Sequence, residues 1–128
     1  RGDSRSKTRR EIEVPLHSPA WFDQACALLE HLGYRPIASL YKDRVAYRLT
    51  WKDYVVKVSL DNVQHLGTFV ELETHASEKD LNRARTALEH LAHRLGLENP
   101  ERRSYLELYF AYLRSLPFED LPPLPPIT

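Results

Sequence analysis

The stretch that most limits what this chain can become runs from Val56 to Glu73, Val-Lys-Val-Ser-Leu-Asp-Asn-Val-Gln-His-Leu-Gly-Thr-Phe-Val-Glu-Leu-Glu. Side chains of a β-strand point alternately to its two faces. Val56, Val58 and Leu60 therefore go one way and Lys57, Ser59 and Asp61 the other, while Val70 and Leu72 oppose Phe69, Glu71 and Glu73. The pattern predicts two strands with a short connection, one face apolar and the other charged. Carboxylates at i and i+2 on a strand face stand about 6–7 Å apart, a spacing suited to sharing a hard cation. A sheet with one solvated face shows the same alternation, so this stretch by itself fits a metal site and an ordinary wet surface equally.

The alternation begins earlier in the chain. From Lys7 to Leu16, Ile12 and Val14 oppose Lys7, Arg9, Glu11 and Glu13, which predicts a first strand with a charged face. Ser18-Pro19 predicts a helix start, with the serine as N-cap and the proline where its missing N–H costs nothing. Phe22, Ala25, Cys26, Leu29 and Leu32 recur at helical spacing, and Gly33 is the expected left-handed stop. Cys26 is thus a packing residue. Arg35 to Trp51 reads as strand, with Lys42, Arg44, Ala46, Arg48 and Thr50 on one face and Val45, Tyr47, Leu49 and Trp51 on the other. Lys52-Asp53 is the expected hairpin turn into Tyr54–Leu60, and Thr68 to Thr74 forms the last strand.

Two helices should close the domain. Ser77 with Asp80 suggests an approximate capping box ahead of a stripe of Leu81, Ala84, Leu88, Leu91, Ala92 and Leu95, ended by Gly96. Asn99-Pro100 repeats the cap-plus-proline start before an aromatic helix containing Tyr105, Tyr109 and Tyr112. The expected class is α+β: an antiparallel curved sheet or tunnel, with helices on its apolar outer face and the charged face concave. Arg1–Ser6 reads as a loop, and Leu121–Ile127 as a polyproline-type tail.

A chain of 128 residues makes one domain, expected over 1–116 with a proline-rich tail at 117–128. Lysine and arginine number 18, and aspartate and glutamate 18. No bulk positive field therefore draws nucleic acid. No apolar run approaches the ~18 residues of a membrane span. A lone Cys26 excludes an internal disulfide and a cysteine-based zinc site, and it fits a reducing compartment. A soluble, cytoplasmic protein with neither nucleic acid nor membrane as partner is the expectation. The sequence contains no methionine, so truncation ahead of Arg1 is also expected. Arg1-Gly2-Asp3 matches an adhesion tripeptide but nothing else here looks extracellular. His90 and His93 lack an implied third metal ligand, and no glycine-rich phosphate loop or serine or cysteine nucleophile motif is present.

Placed in one sheet, the strands gather Arg9, Lys42, Arg44, Arg48 and Lys57 with Glu11, Glu13, Asp61, Glu71 and Glu73 on one face. Solvated cross-strand pairs would contribute only ~0.2–1 kcal/mol each. An enclosed surface of mixed sign suits a polyphosphate with its metal, because guanidinium and ammonium groups hold the oxygens while carboxylates hold the cation.

Three ordered motifs resemble the second half of the CYTH family, which comprises class IV (CyaB-type) adenylate cyclases, thiamine triphosphatases and inorganic triphosphatases. They are Lys42-Asp43-Arg44, then Leu60-Asp61-Asn62-Val63 with Leu66-Gly67-Thr68-Phe69, then Glu71-Leu72-Glu73. Lys7–Glu13 is similar to the family's mid-chain strand, and Arg103-Ser104-Tyr105-Leu106-Glu107-Leu108 resembles the closing helix of its bacterial cyclase-like branch. The resemblance implies an antiparallel tunnel that binds ATP or another triphosphate with magnesium or manganese. Carried onto matching positions, it implies phosphate binding by Arg9, Lys42, Arg44 and Lys57, and metal binding or organisation by Asp61, Glu71 and Glu73. Glu11, Glu13 and Arg48 are further candidates. The family's opening E-x-E-x-K strand has no counterpart, since Pro15 stands where the lysine of Glu11-Ile12-Glu13 would be. The N-terminal half of the domain is therefore an expected partner, and a homodimer is an open alternative. Cyclase, triphosphatase and a triphosphate-binding module without turnover all remain open at this point.

Overall fold

The structure is a computed structural model that describes residues 7–123. The loop read at Arg1–Ser6 and the Leu124–Ile127 part of the tail lie outside the described residues. The chain divides into two units, one built on Leu40–Leu116 and the other on Thr8–Ser39.

In the first unit, β1 (Lys42–Trp51), β2 (Tyr54–Val63) and β3 (Gly67–Glu73) form a curved antiparallel sheet in the order β1-β2-β3. Val58 pairs with Tyr47 and Leu72, and Ser59 with Ala46 and Glu71, so the expected division of faces holds across all three strands. Both connections are tight. Lys52 takes a left-handed φ of 53° in the β1–β2 turn, where Gly or Asn would sit with less strain. Gly67, with φ of 102°, opens β3; an added Cβ would meet nothing within 4 Å, so the backbone angle rather than space favours glycine there.

The apolar face needs a cover, and α2 (Leu81–Arg94) supplies it. Tyr54, Val56 and Val58 from β2 pack with Ala84, Ala87 and Leu91, flanked by Leu49, Trp51, Leu72 and Leu88. Two alanines on the contact stripe let the helix approach closely. Burying one such aliphatic side chain contributes roughly 1.5–3 kcal/mol, and Val56 is fully buried. The helix does not reach the far row Val45, Leu60 and Val70, which pair across the sheet and stay exposed.

Local signals at the helix ends are partly different from those expected. Asp80 forms no cap hydrogen bond, because its carboxylate accepts from the Tyr54 hydroxyl at 2.7 Å and pairs with Arg83. Gly96 ends α2 as expected, with Leu97 N donating to Ala92 O and Gly96 N to His93 O. The final helix, α3 (Tyr105–Ser115), starts at Ser104 rather than at Asn99-Pro100. Ser104 and Glu107 make a full capping box, which satisfies two backbone donors, whereas Asn99 is turned to a φ of 53°.

The second unit contains α1 (Pro19–His31), capped by Ser18 and stopped at Gly33, whose φ is 93°. Phe22, Leu29 and Leu32 stay exposed and Cys26 is half-buried. The strand expected over Lys7–Leu16 does not form, and β1 begins at Lys42 instead of Arg35. Alternation alone does not make a strand. A ladder requires a hydrogen-bonded neighbour, and none of the described residues pairs with 7–16. Among the described residues no helix is long and apolar enough to cross a membrane.

Candidate functional site

The face of the sheet opposite α2 is built row by row from the register. Lys42 lies opposite Val63, Arg44 opposite Asp61, Ala46 opposite Ser59 and Arg48 opposite Lys57; β3 adds Phe69, Glu71 and Glu73 to the last three of these rows. Lys42, Arg44, Arg48, Lys57, Asp61, Glu71 and Glu73 thus share one surface. Arg48 and Lys57 are like charges placed directly across a ladder, an unfavourable arrangement unless an anion relieves it. Glu73 relieves it in part, lying 3.3 Å from the Lys57 ammonium.

Asp61 is the centre of this surface and its buried charged residue, at 2% exposure. Its Oδ1 accepts from Arg44 Nε at 2.6 Å, and its Oδ2 accepts from Arg44 Nη2 at 2.6 Å and from the Tyr105 hydroxyl at 2.7 Å. Lys42 Nζ stands 3.5 Å from the same oxygen. The Arg44 hydrogen bonds hold the Asp61 carboxyl well below the usual carboxylate range, against the cost of burial, with Tyr105 and Lys42 assisting. Bonding to Asp61 in turn pushes the Arg44 guanidinium further up. Burial first, and then the bond to Asp61, raise the Tyr105 phenol well above its ordinary value. Arg44 Nη2 also donates to Glu71 Oε2 at 2.7 Å, so one guanidinium joins β1 to β3 across the middle strand.

The carboxylates of this face suit a hard divalent cation that shares its coordination with a ligand's oxygens. Asp61 is committed to Arg44, Tyr105 and Lys42. Glu71 and Glu73, at i and i+2 on β3, each engage one cation through Oε2. Their other carboxylate oxygens have no partner among the described residues. Among the described residues no group of three or more histidine, cysteine or acidic side chains is arranged to hold a metal. Such an ion is ordinarily held by one or two carboxylates plus phosphate oxygens rather than by an all-protein cage. Ser59 adds a second sign of a ligand. It is fully buried in the row between Ala46 and Glu71, and its Oγ has no hydrogen-bond partner among the described residues; such an orphan costs about 1–3 kcal/mol until something completes it.

Arg9, Glu11 and Glu13 belong to the Thr8–Ser39 unit, where Arg9 Nε donates to Glu11 Oε1 at 2.5 Å and Glu13 is exposed. Sequence reasoning missed Ser59 and Tyr105. The serine was legible as a face residue but not as a buried one. Tyr105 was read as part of the closing aromatic helix and of a motif of resemblance, but not as a site residue. α2 covers the apolar face as expected, and α3 adds a contact on the charged face through Tyr105, which also packs on Phe69 with ring centroids 5.1 Å apart.

Known proteins resemble this chain in sequence and in fold. A protein named putative adenylate cyclase MJ0240, from Methanocaldococcus jannaschii, is 34% identical over 111 residues, 83% of this chain. The solved structure of the PH1819 protein from Pyrococcus horikoshii OT3 superposes with a TM-score of 0.74 at 37% identity over 85% of this chain. The chain spans 58% and 59% of the lengths of these two proteins. A sequence model of the CYTH domain matches residues 3–105, taking in the Lys42/Arg44 pair, Asp61 and the Glu71/Glu73 pair, and with these residues on one face of an antiparallel sheet, the chain belongs to the CYTH family.

Proposed function

We propose that the charged face binds a triphosphate together with magnesium or manganese, and that the protein acts as a class IV adenylate cyclase-like enzyme, converting ATP to cyclic AMP and pyrophosphate. The observation that carries this reading is the Lys42/Arg44 pair organised by buried Asp61 beside the two part-satisfied carboxylates Glu71 and Glu73. The name of the Methanocaldococcus relative supports the cyclase over a triphosphatase. Lone Cys26, unpaired with any second cysteine, supports a reducing, cytoplasmic setting.

In this reading Lys42, Arg44 and Lys57 bind phosphate oxygens, with Arg48 as a further cation. Glu71 and Glu73 hold the metal. When bound, the ion supplies charge neutralisation along the phosphate chain. Asp61 keeps Arg44 extended over the face, so that the guanidinium meets phosphate charge without first reorganising. Glu71 occupies on Arg44 a position that a phosphate oxygen would take, so binding exchanges one anion for another and frees the glutamate. In the cyclase reaction the ribose hydroxyl oxygen bonds to the α-phosphorus as the bond to pyrophosphate breaks, and the hydroxyl proton passes to solvent or to the departing pyrophosphate.

Turnover, in this proposal, draws on residues beyond these 128, because both compared proteins are longer. The chain's 1–116 segment would then share its site with an upstream segment or with a second copy, and 117–128 would be a tail outside it. Calorimetry with tripolyphosphate, with and without manganese, tests binding, and the expected result is tighter binding of each in the presence of the other. Assays for cyclic AMP and for released phosphate, on this chain and on one extended upstream, test turnover. Phosphate without cyclic AMP would replace the cyclase with a triphosphatase. Binding with neither product from either chain would leave a binding module.

A further inference from the structure

Tyr105 meets both cations of the Lys42-Asp43-Arg44 motif, each by a different means. Its hydroxyl donates at 2.7 Å to Asp61 Oδ2, the oxygen that also accepts from Arg44 Nη2 at 2.6 Å. Its ring lies under Lys42, with Nζ 5.2 Å from the centroid, a distance at which an aromatic face attracts an ammonium. Without that ring Lys42 has a single loose contact at 3.5 Å on a side chain 37% exposed. The tyrosine is itself held firmly. The Ser104–Glu107 box fixes the start of α3, Phe69 packs on the ring, and Tyr112, two turns further along the same helix face, stacks on His65 with centroids 5.1 Å apart.

Two like charges two residues apart on a strand repel, and a flexible lysine would ordinarily relax toward solvent. We propose that Tyr105 is a positioning residue that presents Lys42 and Arg44 together to the phosphates of the ligand, which makes the first turn of α3 part of the binding site. The inference rests on the triphosphate reading of this face. The hydroxyl acts on Arg44 through Asp61, and the ring acts on Lys42 directly, so the two effects separate.

The test compares Tyr105→Phe, which keeps the ring, with Tyr105→Leu, which removes both contacts, using calorimetry of magnesium tripolyphosphate. Tyr105→Phe is expected to bind about five- to tenfold more weakly, and Tyr105→Leu several-fold more weakly again. In a Lys42→Ala background the step from Phe to Leu should vanish while the step from Tyr to Phe remains. A purely structural tyrosine would give a silent Tyr105→Phe, and that result, or a Phe-to-Leu step unchanged by Lys42→Ala, overturns the inference. A second readout needs no ligand: the Arg44 Nε–H proton, held by Asp61, should exchange with water faster in Tyr105→Phe when followed by NMR. Unchanged exchange overturns the positioning role. Faster exchange in Tyr105→Phe, together with a parent that binds no tripolyphosphate, would instead support the positioning role and overturn the triphosphate reading.

Discussion

Arg44 and Asp61 face each other across the β1–β2 ladder, and both oxygens of the carboxylate are spent on one edge of the guanidinium, at 2.6 Å each. Deleting either partner leaves a charge stranded on the face. Asp61→Ala should destabilise the fold by about 2–3 kcal/mol, less than the roughly 3–5 kcal/mol of fully buried pairs, because Arg44 keeps 26% of its side chain exposed. Glu71→Gln should cost only about 0.5 kcal/mol, since that pair is partly solvated on both sides. Urea melts of the two variants rank the contributions. Equal losses would show that Asp61 does not organise the face.

The same pair sets an acid limb. The folded pKa of Asp61 lies below its unfolded value of about 3.9, so the unfolded chain binds the proton more readily. The stabilisation is complete above that unfolded value and is lost as pH falls through the folded one. Tyr105 runs the other way: its phenol is raised, so its contribution is full below about pH 10 and is lost as pH climbs through the folded value. Stability against pH should therefore fall less steeply in acid for Asp61→Asn than for the parent. Ultraviolet titration should find the Tyr105 phenolate forming at lower pH in that variant, though the shift is partial because burial is the larger cause.

Ser59 separates stability from binding. Its buried hydroxyl has no hydrogen-bond partner among the described residues. Ser59→Ala should raise stability by about 1 kcal/mol by removing an unsatisfied group, yet weaken tripolyphosphate binding several-fold if the ligand completes that hydroxyl. Melting temperature and affinity, measured on the same sample, check both halves. A variant that gains stability and keeps full affinity would assign the hydroxyl no part in the site.

How much of this was legible in the sequence follows from which interactions are local. Once strands were assumed, a side-chain period of two fixed the partition of Lys42, Arg44, Lys57, Asp61, Glu71 and Glu73 onto one face, and the observed register agrees. The Ser18 cap and the Gly33 and Gly96 stops are equally local, and all three stand. Burial of Asp61 was not legible, because an aspartate in an alternating strand reads as wet until the arginine opposite and the tyrosine 44 residues away are placed. The lost strand at Lys7–Leu16 has the same origin: its alternation is local but its hydrogen-bond partner is not. At α3 a local signal was simply outweighed. Ser104-x-x-Glu107 was present in the chain, and Asn99-Pro100 looked stronger.

Metal and phosphate roles should part company under mutation. Glu73 carries one carboxylate oxygen without a partner among the described residues and pairs loosely with Lys57 at 3.3 Å, so Glu73→Gln removes the metal ligand proposed above while disturbing little else. In an extended chain that turns over ATP, this change should cut kcat by about a hundredfold or more and be partly rescued by raised manganese, because mass action refills a weakened metal site. Arg44→Ala should lower both affinity and turnover with no rescue by metal, since the lost group stabilised phosphate charge directly. Its stability loss is a separate effect, and a melt at the assay temperature sets it aside. Manganese titrations of the two variants side by side decide the assignment. Rescue of Arg44→Ala by metal, or none for Glu73→Gln, would exchange the two roles.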